Sequence, residues 1–395
     1  MPGSVLASFA RTPIGRLSGA LSSLSAMELG GVAIAAAIER AGISPADVDV
    51  VVMGQVLQAA QGQNPARQAA AKGGVPMTVP AVTVNSVCLS GLQAIQYADH
   101  LIQAGDAEVV VAGGMESMTQ APHVLPGARA GYRLGDAALV DSVIRDGLWC
   151  AFDGVHMGAS TEHYAKAAGI SRQEQDALAA TSHERAAIAG KEGRLSPEIT
   201  PVTIPQRKGD VLVVDKDEGV RPDTTVEALA RLKPAFAPEG TITAGNASQI
   251  SDGAAAVVVM SRARAKARGL LPKPTLVSFA NVAGPDASLL TQPSRAILRA
   301  IDKAGVEPAA VGLFEINEAF AAVLAASMAD LGVAFEDVNV NGGAIALGHP
   351  IGMSGARLLM TLAAELERRG GGLGAAALCG GGGQGIAALL RVDGP

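Results

Sequence analysis

The sequence predicts an α/β protein built from two similar halves, with a dissimilar segment inserted between them. Three observations predict it: an internal duplication, the strand–helix–strand order inside each copy, and a composition rich in small apolar residues. The chain has 395 residues, 49% of them apolar and 17% charged, enough for two or three packed units rather than one core. Its 48 glycines against 3% aromatics predict close Ala/Gly packing of helices on sheets, and their lack of a fixed period excludes a collagen-like fibre.

The duplication opens with Ile38–Val56, IERAGISPADVDVVVMGQV, and Ile301–Ala319, IDKAGVEPAAVGLFEINEA. Each copy reads as a helix end, an Ala-Gly stop, a turn containing proline and an apolar strand. The glycine after each helix suits a left-handed cap, which a residue with a Cβ adopts only at a cost. Downstream, Val82-Thr83-Val84-Asn85 pairs with Val338-Asn339-Val340-Asn341 as two alternating strands. Each leads through a turn to a helix marked Ser-Gly, at Ser90-Gly91 and Ser354-Gly355, and then to an apolar strand ending in glycines, AEVVVAGG and GAAALCGGGG. This order favours sheets flanked by helices.

The intervening segment, 120–249, does not repeat. It holds a polar helix over 171–190, with Ser171-Arg172-Gln173-Glu174 as a capping-box pattern, and a charged stretch over 207–223. The expected organisation is therefore an N-terminal half at 1–119 plus 250–270, an inserted loop domain at 120–249 folding over one face, and a C-terminal half at 271–395.

A net charge of −6 without a run of Lys and Arg speaks against a nucleic-acid partner. Three sparse cysteines, Cys88, Cys150 and Cys379, suit a reducing compartment better than a disulfide framework. The first residues lack a signal-peptide pattern and no apolar run spans a bilayer, so a cytoplasmic protein with no membrane partner is expected. No metal-ligand spacing such as HExxH or a paired CxxC occurs.

Cys88 follows the strand VTVN at a predicted helix start, where free N–H groups and the helix dipole lower a thiol pKa and bind an oxyanion. By itself it reads equally as a small buried hydrophobe. His349 lies in the glycine-rich turn NGGAIALGHPIGMSGAR, where a histidine also serves to tie down a turn. Cys379 ends the strand GAAALC, and no Lys-Ser or Lys-Thr follows the glycines after it, which weakens a phosphate-loop reading. Asn317 begins NEAFAAVLAASMADLG, as a helix N-cap or as an amide that positions a water.

Taken together, NSVCLSGLQAI, GGMESM, TAGNASQISDGAAA, NEAFA, GGAIALGHPIGMSGAR and CGGGGQG resemble the thiolase family along the whole chain. GQNPARQAA and HMG at 156–158 resemble its acetyl-CoA acetyltransferase branch. The resemblance implies a five-layered αβαβα fold and a homo-oligomer, commonly a tetramer built from dimers. It implies a reversible condensation of two acetyl-CoA to acetoacetyl-CoA and coenzyme A, without a prosthetic group. A degradative 3-ketoacyl-CoA thiolase of broader chain length is the near alternative, and a non-catalytic acyl-CoA-binding protein the distant one.

It also implies roles. Cys88 would be the nucleophile, His349 its base, and Cys379 the group that takes a proton from the second acetyl-CoA. Asn317 would hold a water, and Gly381 would supply an oxyanion N–H with that of Cys88. By the same resemblance Arg221 would face the nucleotide of coenzyme A, with Ser248 and Ala244 along the pantetheine. Leu148, His156, Met157, Phe236 and Phe320 would shape the channel and acyl pocket. Two departures from the pattern stand out: Leu89, expected to reshape the entrance, and His183, expected near the nucleotide.

Overall fold

The computed structural model describes residues 3–206 and 209–394; Arg207 and Lys208, which open the charged stretch, lie outside the described residues. Nine strands form one continuous mixed sheet path, with a short strand at Gly15–Arg16 off it. In chain order they are β1 (Ser4–Arg11), β2 (Val50–Gly54), β3 (Ala81–Val84), β4 (Val109–Ser117), β5 (Ser251–Ser261), β6 (Thr275–Ala283), β7 (Leu313–Ile316), β8 (Gly372–Gly380) and β9 (Gln384–Val392). The spatial order is β7-β8-β9-β6-β1-β5-β4-β2-β3. The halves meet at one antiparallel pair, Val5 with Thr275.

Outward from that junction the halves repeat: β1-β5-β4-β2 in one and β6-β9-β8-β7 in the other. The repetition reaches single atoms. Register shifts fall at Leu6/Ser8 and at Leu276/Ser278, and the two serines donate to Ala37 O and Ala300 O of the helices behind them.

The helices are α1 (Ala26–Arg40), α2 (Pro65–Lys72), α3 (Ser90–Ala104), α4 (Met157–Ala167), α5 (Arg172–Lys191), α6 (Gln292–Ala304), α7 (Ala321–Leu331) and α8 (Ser354–Arg368). Gly42 and Gly305, after α1 and α6, both adopt φ +64, the left-handed cap expected from Ala-Gly. Period-2 alternation divides the strands between layers. Val110, Ala112 and Val257 face a central core with Leu92, Ile95, Leu358 and Leu362 of α3 and α8. Val109, Val111 and Val258 face an outer core with α1. In the second half Ala376 and Leu378 point inward while Ala375 and Ala377 point out toward α6 and α7. The result is five layers: outer helices, sheet, the α3/α8 pair, sheet, outer helices.

The duplicated Ser-Gly motif explains the middle layer. A Cβ on Gly91 would lie 2.8 Å from the Gly352 carbonyl oxygen, and one on Gly355 would lie 2.5 Å from the Leu92 nitrogen. The two helices therefore cross backbone to backbone, and only glycine fits. Gly113 and Gly114 obey the same constraint: a Cβ there would collide with Ala255 O and Gly352 O. They lie inside β4 rather than ending it.

One expected strand is absent. Val338–Asn341 does not mirror β3: only Val338 bridges, to Phe314. Asn339 takes φ +48, and its side chain does the pairing instead, accepting from Ile316 N and donating to Ile316 O, both at 2.8 Å.

The inserted segment carries α4, α5 and three short hairpins. Ser171 caps α5 by accepting from Glu174 N at 3.1 Å. A buried ion cluster pins the segment to β1: Arg11 reaches Glu198 at 2.8 Å and Asp217 at 2.6 Å, and Glu198 also accepts from Thr361 of α8.

Candidate active site

Cys88 sits between β3 and α3, two residues before the first residue of that helix. The turn bearing it is unusual: Val87 has φ +53, an outlier for a β-branched residue, worth ~1–3 kcal/mol of strain. Its neighbours hold it there. Asn85 Oδ1 accepts from Val87 N at 2.9 Å, Ser90 Oγ donates to Val87 O at 2.5 Å, and Leu89 N bonds Ser86 O. The turn presents the half-buried thiol with two backbone N–H groups aimed at it, its own and that of Gly381.

The expected lowering of this thiol by a helix terminus does not prevail. Burial outweighs it, the charge of Glu116 adds to it, and the thiol is pushed up to about 12 despite the two N–H groups. Cys379, fully buried at the end of β8, is also pushed up, by burial and then by the proximity of Cys88. The two turns touch directly: a Cβ on Gly380 would lie 2.6 Å from Leu89 Cγ, and one on Gly381 would lie 3.4 Å from Val87 Cγ1. Leu89 is thus packed beneath the glycines, almost wholly buried, and not at an entrance as expected.

His349 follows Gly348, which at φ +110 turns the chain where a Cβ would meet Ile14 and Ser251. Its N–H bonds Gln249 O at 3.1 Å. The imidazole is buried, with Nδ1 2.6 Å from Ser354 Oγ and Nε2 3.4 Å from Asn317 Nδ2. Burial, then the Arg357 guanidinium, hold it down to about 3, so the ring is neutral.

Asn317 is not a helix cap; α7 starts only at Ala321, with Phe320 in the cap position. The NEAF segment instead leaves β7 as a short bent connection that becomes extended only at Phe320. Glu318 locks it, accepting from Ser182, Asn339 and Ile345 N. Asn317 Oδ1 is buried with no hydrogen-bond partner among the described residues.

A cavity of about 450 Å³ opens at His349, with Cys88, Asn317 and Cys379 set behind its lining residues. His349 lines it. One wall comprises Met118, Leu148, Ile250 and Ile351, from the apolar cluster against which Cys88 packs. Ala319, Phe320, Phe236 and Ala247 also line it, from the cluster that contains Cys379. A larger cavity, about 690 Å³, opens beside Asp99 and Lys303 and holds none of the singled-out residues.

Most of the predicted channel residues line the smaller cavity: Arg221, Ser248, Ala244, Leu148, His156, Phe236 and Phe320. His156 stacks on Phe236 at 4.8 Å, and Phe236 meets Phe320 edge-on at 6.3 Å. Gly158 permits this, because a Cβ there would collide with the Phe236 ring. Met157 does not line the cavity; it is buried behind the wall with Cys379. His183 is not at the cavity either. It is buried, and Nδ1 accepts from Arg221 N at 3.1 Å, supporting the Arg221 loop from behind.

Several contributors were not singled out from sequence. Arg16 lines the cavity as a second exposed cation with Arg221. Gln249 donates to Gly219 O, Ile345 O and Ala346 O. Glu116, wholly buried, accepts from Val56 N, Leu57 N and Gly352 N, and so ties the loop after β2 to the loop after His349. Burial pushes its carboxyl up to about 7. Gln249 and Glu116 both lie in recognisable motifs, but only tertiary contact reveals what they hold.

Residues 4–263 match the family described as Thiolase, N-terminal domain, and residues 270–392 match Thiolase, C-terminal domain. A protein named Probable acetyl-CoA acetyltransferase from Mycobacterium leprae (strain TN) is 54% identical over 391 residues, 99% of this chain and 100% of that protein. Acetyl-CoA acetyltransferase from Cupriavidus necator is 53% identical over 392 residues, with 99% and 100% covered. A crystal structure of the Bacillus anthracis acetyl-CoA acetyltransferase superposes with a TM-score of 0.96 at 40% identity, covering 99% of each chain.

Proposed function

The chain belongs to the thiolase family, and from that premise we propose how it works as an acetyl-CoA C-acetyltransferase. The observation that carries the reading is convergence: the turns bearing Cys88 and Cys379 touch, and the clusters around both contribute residues to the cavity that His349 lines.

Cys88 attacks the carbonyl of acetyl-CoA while His349 Nε2 takes the thiol proton. With the thiol pushed up to about 12 and the imidazole held down to about 3, a thiolate–imidazolium pair is not populated in the empty site. Proton transfer therefore accompanies attack, helped by the N–H groups of Cys88 and Gly381 at the developing oxyanion. Coenzyme A leaves with that proton, and an acetyl-cysteine remains.

A second acetyl-CoA then enters. Cys379 gives its thiol proton to His349 Nε2 and, as the thiolate, takes a proton from the methyl group. That carbon acid is weaker than a thiol by on the order of ten pKa units, roughly 14 kcal/mol, so the enolate oxygen needs fixed donors. His349, protonated at Nε2 by the Cys379 proton, and a water held by the unpaired Asn317 Oδ1 supply them. The enolate attacks the acetyl-cysteine, the C–S bond breaks to release acetoacetyl-CoA, and His349 returns its proton to the Cys88 sulfur.

Coenzyme A occupies the channel covered by the inserted domain, with Ser248 and Ala244 along the pantetheine and Arg221, joined by Arg16, toward the phosphates. No prosthetic group is needed. The chain works as a homo-oligomer, commonly a dimer of dimers in this family, which the exposed apolar residues of two places support. These are Val82 on the edge strand β3, with Met77 and Tyr97 nearby, and Leu125, Tyr132, Leu134 and Leu139 on an arm of the inserted segment. No helix among the described residues is long and apolar enough to cross a membrane; the three free cysteines suit a cytoplasmic location.

Brief exposure to acetyl-CoA followed by mass spectrometry is expected to find one acetyl group on Cys88. Cys379→Ser is expected to acetylate but to condense very poorly. Absence of the adduct, or full condensation by that variant, would overturn the assigned roles.

A further inference from the structure

The geometry points to Ser354 as the positioning residue that makes His349 a base at Nε2, an inference that rests on the proton-accepting role proposed above. Ser354 Oγ lies 2.6 Å from His349 Nδ1 and 2.9 Å from Pro350 O. A hydroxyl has one proton, and a carbonyl oxygen can only accept. The Ser354 proton therefore goes to Pro350 O, and its lone pair accepts Nδ1–H. On the other side of the ring, Asn317 presents its amide nitrogen to Nε2 at 3.4 Å, and an amide nitrogen can only donate. Two independent neighbours assign the same tautomer, with the proton on Nδ1 and a lone pair on Nε2.

The origin of this arrangement is legible in the duplication. Ser90 starts α3 as Ser354 starts α8, and each hydroxyl donates back to a carbonyl of the preceding turn, Val87 O and Pro350 O. In the first half the free lone pair accepts a backbone N–H, that of Ser86 at 2.9 Å. In the second half the same lone pair accepts the imidazole. The helix start fixes the hydroxyl, because Ser354 N and Met353 N both also bond Pro350 O.

The tautomer decides the chemistry. With the lone pair on Nε2, the ring accepts the Cys88 proton as the S–C bond to the acyl carbon forms. It returns that proton to coenzyme A sulfur as the C–S bond breaks. With the proton on Nε2 the first transfer has no acceptor. Removing the hydroxyl also leaves a buried Nδ1–H without a partner, so the ring shifts toward the other tautomer.

The test has two arms. In protein carrying 15N-labelled histidine, with the six residues sorted by the signal lost in His349→Gln, His349 is expected to show a protonated Nδ1 and an unprotonated Nε2. This tautomer should be lost in Ser354→Ala and kept in Ser90→Ala. In rapid-quench measurements of Cys88 acetylation by acetyl-CoA, Ser354→Ala is expected to lower the maximal rate by about 10- to 100-fold, by analogy with the hydrogen-bond partners that orient metal-bound histidines, with half-saturation unchanged. An Nε2–H tautomer in the wild-type protein, or wild-type acetylation by Ser354→Ala, would overturn the inference. If Ser354→Ala does not fold, the wild-type spectrum alone decides. A wild-type protein that shows the expected tautomer but never acetylates Cys88 would instead sink the proposed function.

Discussion

Replacing Gly355 by alanine tests whether the crossing of α3 and α8 sets the catalytic geometry. The new Cβ would lie 2.5 Å from Leu92 N, 2.7 Å from Leu92 Cβ and 3.1 Å from Leu92 Cα. Ordinary carbon contacts lie at ~3.5–4.0 Å, so the helices must part by about 1 Å. Overpacking of this kind costs ~1–3 kcal/mol, while alanine in a helix returns ~1 kcal/mol over glycine. Net stability therefore falls by only about 0–2 kcal/mol. Activity should fall much further, because α3 begins just after Cys88 and α8 just after His349, and a ~1 Å misplacement costs ~100-fold in rate. Steady-state kcat/KM and denaturant unfolding on the same preparation separate the two effects. Leu92→Ala should not rescue Gly355→Ala, since the atoms encountered are ones that alanine keeps. Gly190→Ala on α5 meets nothing within 4 Å and should gain up to ~1 kcal/mol. A Gly355→Ala enzyme with at least half the wild-type kcat/KM, or its restoration by Leu92→Ala, would refute the reasoning.

Three further outcomes are expected. Because burial pushes the Cys88 thiol up to about 12, its alkylation by iodoacetamide without substrate should rise about tenfold per pH unit from pH 6 to 9; a plateau near neutrality would reveal a preformed thiolate. His183 is held down to about 4, by burial and then by Arg221, against an ordinary 6.5. As pH falls from 6.5 toward 4 the unfolded chain takes the proton and the folded one does not, so stability is lost across that window. Unfolding midpoints of His183→Gln should therefore decline less steeply between pH 7 and 5; parallel curves would contradict this. Arg11→Leu leaves Glu198 and Asp217 facing each other in the interior and should lose ~3–5 kcal/mol by denaturant titration, whereas a loss below ~1 kcal/mol would mean the cluster relaxes into water.

Much was legible in the chain because repetition and steric demand leave marks in residue type. The Ala-Gly caps at Gly42 and Gly305 and the paired Ser-Gly helix starts each state a local requirement, and the structure meets them. Where a side chain could replace backbone pairing, the pattern misled. Asn339 looks like a strand residue but closes the ladder with its amide. Asn317 looks like a cap, yet it lies four residues ahead of its helix.

The sequence by itself determined the duplication, the α/β class and the identity of the chemically capable residues, because these follow from short-range pattern and residue type. Only the tertiary structure decided how each group behaves. Burial, a property of neighbours remote in the chain, turned Cys88 from a helix-activated thiol into a raised one and kept His349 neutral. Packing moved Leu89 and Met157 out of the cavity and brought Arg16 to it. Glu116 shows the reason most plainly. Its carboxylate joins two loops nearly 300 residues apart, Val56–Leu57 and Gly352, and nothing in the local sequence records which distant N–H groups a buried acceptor will satisfy.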